Sequence, residues 1–280
     1  MTDRSEQLGW EARWAKPAAA AAFAYGVLSV LSLVYVAASL DDPPASGVQR
    51  EFIAALDAQS GVFVVTAVLQ AIGLAVLSLA LVYLYGAIKS RRPETPTIVL
   101  YLAVGGPVLL AIAGVLSQLD RIDNAGEFFA SGERTEERAE DLLAERSSLG
   151  VGFGLAGALA FGFALVLLNV HAMRAGIVSR FMGVMGIIVG ALPVLASLLP
   201  VSPGGFVQVF WAVALGFLLL GKWPGGRGPA WETGEATPWP PAADRRSETA
   251  EEAPTEAAQR EEPRATGHAT SQKRKRKRRR

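Results

Sequence analysis

Six long apolar runs, each free of Asp, Glu, Lys and Arg, alternate along the chain with short charged segments. They cover 17–40, 61–88, 95–119, 147–170, 181–199 and 204–221. A helix needs about 20 apolar residues to cross the hydrocarbon core of a bilayer, with a working range of roughly 17–25. All six qualify, the last two near the lower bound. The runs are continuous rather than alternating, which excludes a transmembrane β-barrel. Backbone groups in hydrocarbon must be satisfied within the segment, so each run is expected to be helical. The pattern predicts an all-α polytopic integral membrane protein with a six-helix transmembrane bundle over 17–221.

The first run is longer than the roughly 7–15-residue core of a signal peptide. It is therefore expected to remain as an anchor, although Val36, Ala37 and Ala38 form an acceptable cleavage pattern. Before it, residues 1–16 place Leu8, Trp10 and Trp14 among charges. Trp10 and Trp14 are four apart and so share a helical face, which reads as an amphipathic segment at the membrane surface. Beyond 221 the pattern ends. Residues 222–280 hold seven of the 16 prolines and little aliphatic periodicity. Such a segment cannot bury enough apolar surface to offset its ordering entropy, so it is expected to be a disordered tail.

Composition sharpens this picture. The chain has 280 residues, 51% hydrophobic and 19% charged, and its net charge is only +1. The near-neutral total hides segregation, because every charged residue lies outside the six runs. Lys and Arg sit mainly on one side. Arg4, Arg13, Lys16, Lys89, Arg91, Arg92, Arg174, Arg180, Lys222 and Arg227 flank one set of ends. Arg50, Arg121, Arg134, Arg138 and Arg146 lie on the other, beside acids. The positive-inside bias predicts that both termini are cytoplasmic. The segments 41–60 and 120–146 then face outside. Within the second, Glu133–Arg146 lacks Gly and Pro and is expected to form a short exterior helix, with Arg134/Glu137 and Arg138/Asp141 at pairing distance.

The chain contains no Cys and only two His, His171 and His268. Thiolate chemistry and a multi-histidine metal site within one chain are excluded. The acids of 120–146 lack the ligand spacing and central glycine of a calcium loop. No catalytic residue, cofactor or metal site is expected. The absence of ionisable residues inside the runs argues against a carboxylate-coupled transporter and against most intramembrane hydrolases.

What remains are neutral polar groups. Gln70, Asn169 and Gln208 are the candidates for intramembrane polar contacts, as helix glue or as the lining of a polar pathway. Gly150, Gly154, Ala158 and Gly162 follow at four-residue spacing in the fourth span, and Gly183, Gly186 and Gly190 lie in the fifth. Small-residue stripes let helix backbones approach closely, so spans four and five are expected to pack as a tight pair. A homo-oligomer through span four is the other use of such a stripe. Gly105, Gly106 and Pro107 in span three and Pro193 in span five are expected to kink their helices.

The tail has an acidic middle and ends in eight consecutive basic residues: Lys273, Arg274, Lys275, Arg276, Lys277, Arg278, Arg279 and Arg280. Tethered beside a bilayer, they suit anionic lipid headgroups, each charge contributing about 1 kcal/mol near the surface. They would also bind nucleic acid phosphates, but no aromatic residue interleaves to stack on bases. Lipid is the favoured partner of the two.

The stretch from Arg174 to Gly190, reading Arg-Ala-Gly-Ile-Val-Ser-Arg-Phe-Met-Gly-Val-Met-Gly-Ile-Ile-Val-Gly, resembles a recurring element of uncharacterised bacterial multi-pass membrane proteins. In that element a basic, Gly-containing turn leads into a Gly-rich span. The Ala-, Arg- and Gly-heavy usage and the Pro-rich charged tail are similar to proteins of high-GC Gram-positive bacteria. The resemblance, mainly over spans four to six, implies a bacterial cell membrane and a family without assigned activity, and it carries over no site residues. The leading functional expectation is a non-enzymatic scaffold or accessory protein whose basic tail engages anionic lipid or a cytoplasmic partner. The alternative is a transporter or channel for a neutral or apolar small molecule.

Overall fold

The computed structural model describes residues 4–198, 205–224 and 226–239. These contain nine helices and no strand. The helices are α1 (Arg4–Ser39), α2 (Gln49–Ala58), α3 (Ser60–Arg91), α4 (Ile98–Ala130), α5 (Glu136–Ala144), α6 (Ser148–Arg174), α7 (Arg180–Leu198), α8 (Gly205–Leu219) and α9 (Ala230–Thr233). Four of them, α1, α3, α4 and α6, are long and apolar enough to cross a membrane. With 19 and 15 residues, α7 and α8 are equally apolar but shorter. At 1.5 Å per residue they reach about 28 and 22 Å, against a hydrocarbon core of about 30 Å.

The six long helices pack around a ring. α1 lies between α3 and α8, α3 meets α4, α4 meets α6, and α6 meets α7. The ring closes through a sparse α7–α8 contact. Two buried cores follow from this arrangement. The larger is built from Leu77, Leu81, Leu84 and Ile88 of α3, Leu165 and Leu168 of α6, and Trp211, Leu215 and Leu218 of α8. The smaller sits at the opposite end, where Ile53 and Leu56 of α2 meet Ala125 and Phe128 of α4 and Ala139 and Leu142 of α5.

That second core was only half expected. Residues 41–60 read as a loop, yet α2 occupies 49–58 because Phe52, Ile53 and Leu56 share one face and have a core to join. The third apolar run ends at Leu119, but α4 continues eleven residues further, past Asp120, Arg121 and Asp123. Those charges end the lipid-compatible stretch without ending the helix, since Ala125 and Phe128 still find a buried surface. The short helix expected over 133–146 is α5. Thr135 caps it, accepting from the Arg138 amide at 3.2 Å, and Glu136 and Glu137 oppose the helix dipole in the first turn. Its ion pair differs from expectation: Arg138 turns away from Asp141 and binds Glu127 of α4 at 2.6 Å.

Three further expectations are corrected. Residues 4–16 are not a separate surface helix. α1 runs from Arg4 through Pro17 without interruption, giving up the one backbone hydrogen bond that proline cannot donate. Trp10 and Trp14 do not act on one face: Trp10 stacks on Tyr83 at 5.3 Å, while Trp14 is 48% exposed. Nor does order end at 221. Lys222–Trp239 folds back over the bundle, carrying α9, and buries Trp231. The aromatic residue supplies the burial that the flanking Pro and Gly residues lack. The remainder of the expected tail, with Lys273–Arg280, lies outside the described residues. Pro107 and Pro193 lie inside α4 and α7, which continue past them.

Candidate functional site

A cavity of about 600 Å³ opens where α7 and α8 separate. Its walls come from five helices: α1 gives Tyr25, Ser29, Ser32 and Val36, α3 gives Thr66, Gln70 and Leu74, and α4 gives Leu110. α7 adds Leu192 and Pro193, and α8 adds Phe206, Gln208 and Val209. The volume lies within the roughly 300–1,000 Å³ typical of small-molecule sites. Among the described residues, no Asp, Glu, Lys, Arg or His lines it.

The neutral polar groups in its wall are held by helix geometry. Ser29 donates to the Tyr25 carbonyl at 2.8 Å, Ser32 to the Ser29 carbonyl at 2.9 Å, and Thr66 to the Val62 carbonyl at 2.9 Å. Each hydroxyl spends its proton on its own helix, as Ser and Thr do when no other acceptor is near. Its oxygen lone pairs then remain available. Gln70 Nε2 reaches the Ser32 oxygen at 3.4 Å, joining α3 to α1. One amide proton and the amide oxygen of Gln70 stay uncommitted. The Gln208 amide makes no hydrogen bond among the described residues. The site thus offers several acceptors and a few amide donors inside apolar walls.

Two of the three candidate polar residues are brought together here. Asn169 is not. It lies fully buried in the α6–α7 seam, donates to the Leu165 carbonyl at 2.8 Å, and leaves its Oδ1 without a partner among the described residues. The structure also places hydroxyl groups that sequence reasoning passed over. Their signal was present: Tyr25, Ser29 and Ser32 step by four and three along α1, and Thr66 and Gln70 by four along α3. Each set shares one helix face.

The small residues divide between two partners. Gly162 and Gly190 face each other across α6 and α7, and a Cβ on either would come within 2.6 or 2.8 Å of the other's carbonyl oxygen. Gly186 packs on the Asn169 amide and Gly183 on Met173. The early part of the stripe turns toward α4 instead. Gly154 faces Ala113 at 3.8 Å, and Gly150 sits near Asp120 and Ser147. Gly157, on the same helix, leaves only 2.8 Å between an added Cβ and the Leu110 amide nitrogen. Ala158 is buried. Gly106 of α4 lies against the Phe161 backbone so closely that any side chain would collide. Leu110, set by this α4–α6 contact, lines the cavity.

At the other end of the bundle the chain ends are laced together. Arg91 is fully buried and holds Glu11 with both terminal nitrogens, while its Nε and Nη2 donate to the Ala230 carbonyl at 2.9 and 2.8 Å. Tyr83 donates to the Glu11 carbonyl at 3.0 Å. Trp231 donates from its indole to the Ile177 carbonyl at 2.9 Å and lies parallel to Tyr83. Arg91 and Arg227 each stand 5.4 Å from the Trp231 ring, within range of a cation–π attraction. Gly176, at φ +72°, passes under Thr237 where a side chain would collide. This assembly is a structural clasp: Arg91 is paired with Glu11, and Arg227 donates to the Leu219 carbonyl while its Nε has no partner among the described residues. His171 stands apart from both features, near the end of α6, its Nδ1 without a partner among the described residues. No group of three or more His, Asp or Glu residues able to hold a metal is found among the described residues.

Compared with protein-family models, curated proteins and solved structures, the chain shows no match.

Proposed function

We propose that this chain is a non-enzymatic integral membrane protein that binds, and passes across or along the bilayer, a small molecule without net charge. The observation that carries the reading is the uncharged cavity that brings Gln70 and Gln208 together with Ser29, Ser32 and Thr66. A charged ligand would be left without a counter-charge in a medium where ions are costly to hold. A neutral ligand finds apolar contact along the walls and hydrogen bonds at a few fixed points, which is the usual chemistry of small-molecule sites.

In this reading all six apolar helices cross a bacterial cell membrane and both termini are cytoplasmic. The Lys and Arg distribution supports that orientation. It puts the clasp at the cytoplasmic face and the cavity in the outer half of the bundle. α7 and α8 are short for a full crossing, and local thinning of the bilayer accommodates such mismatch.

The scaffold reading rests on a different feature. Lys273–Arg280 would hold the tail to anionic headgroups or to a cytoplasmic partner. The two readings part on one variant. Wild-type protein and a folded Gln70→Leu variant are purified from native membranes, and the neutral molecules that accompany each are identified by mass spectrometry. A species held by wild type and lost from the variant is the expected result. Identical extracts, with loss of partners only on truncation after Gln272, would move the function to the tail.

A further inference from the structure

Resting on that reading, we propose that the ligand is a single-chain neutral lipid with a hydroxyl headgroup, of the monoacylglycerol or long-chain alcohol class. It enters sideways from the bilayer at the exposed apolar rim formed by α1 and α8.

Three observations converge on this class. The first is the position of the mouth. Val30 and Leu33 of α1 line the cavity and are 52% and 57% exposed, and Phe206 of α8 lines it and is 82% exposed. An apolar rim on the lateral surface of a bundle faces acyl chains, not water. The far end of the site is shared with the small core: Val36 lines the cavity and also packs against the cluster of α2, α4 and α5. Over α1 and α3 the cavity therefore ends in packed side chains.

The second observation is size. A water molecule takes about 30 Å³ of liquid, so about 600 Å³ accommodates roughly twenty groups of methylene size. A long-chain alcohol fits that allowance, monooleoylglycerol overruns it by a few groups that extend through the open mouth, and a two-chain phospholipid exceeds it about twofold.

The third is polarity. Among the described residues lining the cavity, no cation is present to hold a phosphate and no anion to hold an amine. The hydroxyl oxygens of Ser29, Ser32 and Thr66 have given their protons to backbone carbonyls, so toward a ligand they act as acceptors. Such a surface calls for a ligand that donates. A lipid hydroxyl donates to Ser29 or to the Gln70 oxygen and accepts from a Gln70 or Gln208 amide. An ester or ketone head would only accept, and would find no more than the Gln donors.

The test uses the full chain in vesicles of phosphatidylethanolamine and phosphatidylglycerol, with a diazirine-bearing monooleoylglycerol as the photoprobe. Labelling is expected within 25–36 of α1 and 205–209 of α8. Unlabelled monooleoylglycerol should compete, and methyl oleate should compete about tenfold less well, since two hydrogen bonds are lost. A Gln70→Leu/Gln208→Leu variant should lose at least about tenfold of the competed signal. Its folding is checked by monodispersity and an unchanged melting curve, and Gln208→Asn serves as a milder variant if the double one does not fold. Label spread over the lipid-facing surface without competition would overturn the proposal. So would equal competition by methyl oleate. If a water-soluble neutral molecule accompanies wild type and is lost from Gln70→Leu, while the lipid probe fails, the lipid assignment falls and the cavity keeps its function. If neither is held, both fall.

Discussion

Arg91 grips Glu11 across 80 positions of chain, Nη1 to Oε1 and Nη2 to Oε2, the second contact at 2.9 Å. The pair joins the last residue of α3 to the first turns of α1, and neither side chain is more than 4% exposed. A bidentate, buried pair of this kind is costly to break from one side, because the remaining charge is stranded.

Arg91→Leu should therefore destabilise the protein by about 3–5 kcal/mol. The double variant Arg91→Leu/Glu11→Leu should recover much of that loss, because it strands no charge. Thermal unfolding in detergent, followed by size-exclusion chromatography, reads both. Equal losses in the two variants would mean that the Ala230 carbonyl, not Glu11, is the partner that matters.

The α6–α7 seam makes an equally sharp contrast. Gly162→Val places a Cβ 2.6 Å from the Gly190 carbonyl oxygen, whereas Gly105 has open space around it. The first change should prevent a monodisperse preparation, and Gly105→Ala should leave yield and melting temperature unchanged or improved. The same two measurements suffice for both.

Trp231→Ala should release the segment that follows α8. A buried aromatic truncated to Ala costs about 3–5 kcal/mol. Here the cost falls on a local strap, so cleavage should precede global unfolding. Trypsin added to inside-out vesicles should cut after Lys222 and Arg227 much faster in the variant. Unchanged cleavage rates would mean that the strap is held by Arg227 and Trp239 alone.

The cysteine-free chain allows the six-crossing reading to be tested directly. Single substitutions Arg174→Cys, Ser202→Cys and Lys222→Cys are exposed in intact cells to a membrane-impermeant maleimide. Only Ser202→Cys should react from outside, with the other two reacting after permeabilisation. Failure of Ser202→Cys to label from outside would leave α7 and α8 as a hairpin that enters and leaves on one side.

Much of this architecture was legible from hydropathy, and the exceptions share a cause. Periodicity over long apolar runs marked α1, α3, α4, α6, α7 and α8 because lipid demands continuous apolarity. α2 was missed because three large apolar residues in ten, Phe52, Ile53 and Leu56, do not make a run and find their meaning only beside Phe128 and Leu142. Trp231 was missed for the same reason: one aromatic among prolines and glycines signals nothing until Arg91 and Tyr83 lie beneath it. In the cavity, Gln70 and Gln208 stood out as the polar residues of apolar runs. That they meet, and that Asn169 does not join them, depends on the order of helices around the ring, which no local pattern encodes. The serines were overlooked because a serine bonded to its own helix reads as tolerated polarity rather than as an acceptor facing a cavity.

The clasp also has a temporal side. Glu11 leaves the ribosome early, Arg91 follows 80 residues later, and the Ala230 carbonyl comes 139 residues after Arg91. At about 5–20 residues per second, the second interval is on the order of ten seconds. Throughout it Arg91 lacks the Ala230 carbonyl, and all the apolar helices must be delivered before that partner arrives. The earliest turns of the ordered chain are thus sealed by some of its latest residues, and completion of the protein becomes an event that follows translation of the last helix rather than one that proceeds alongside it.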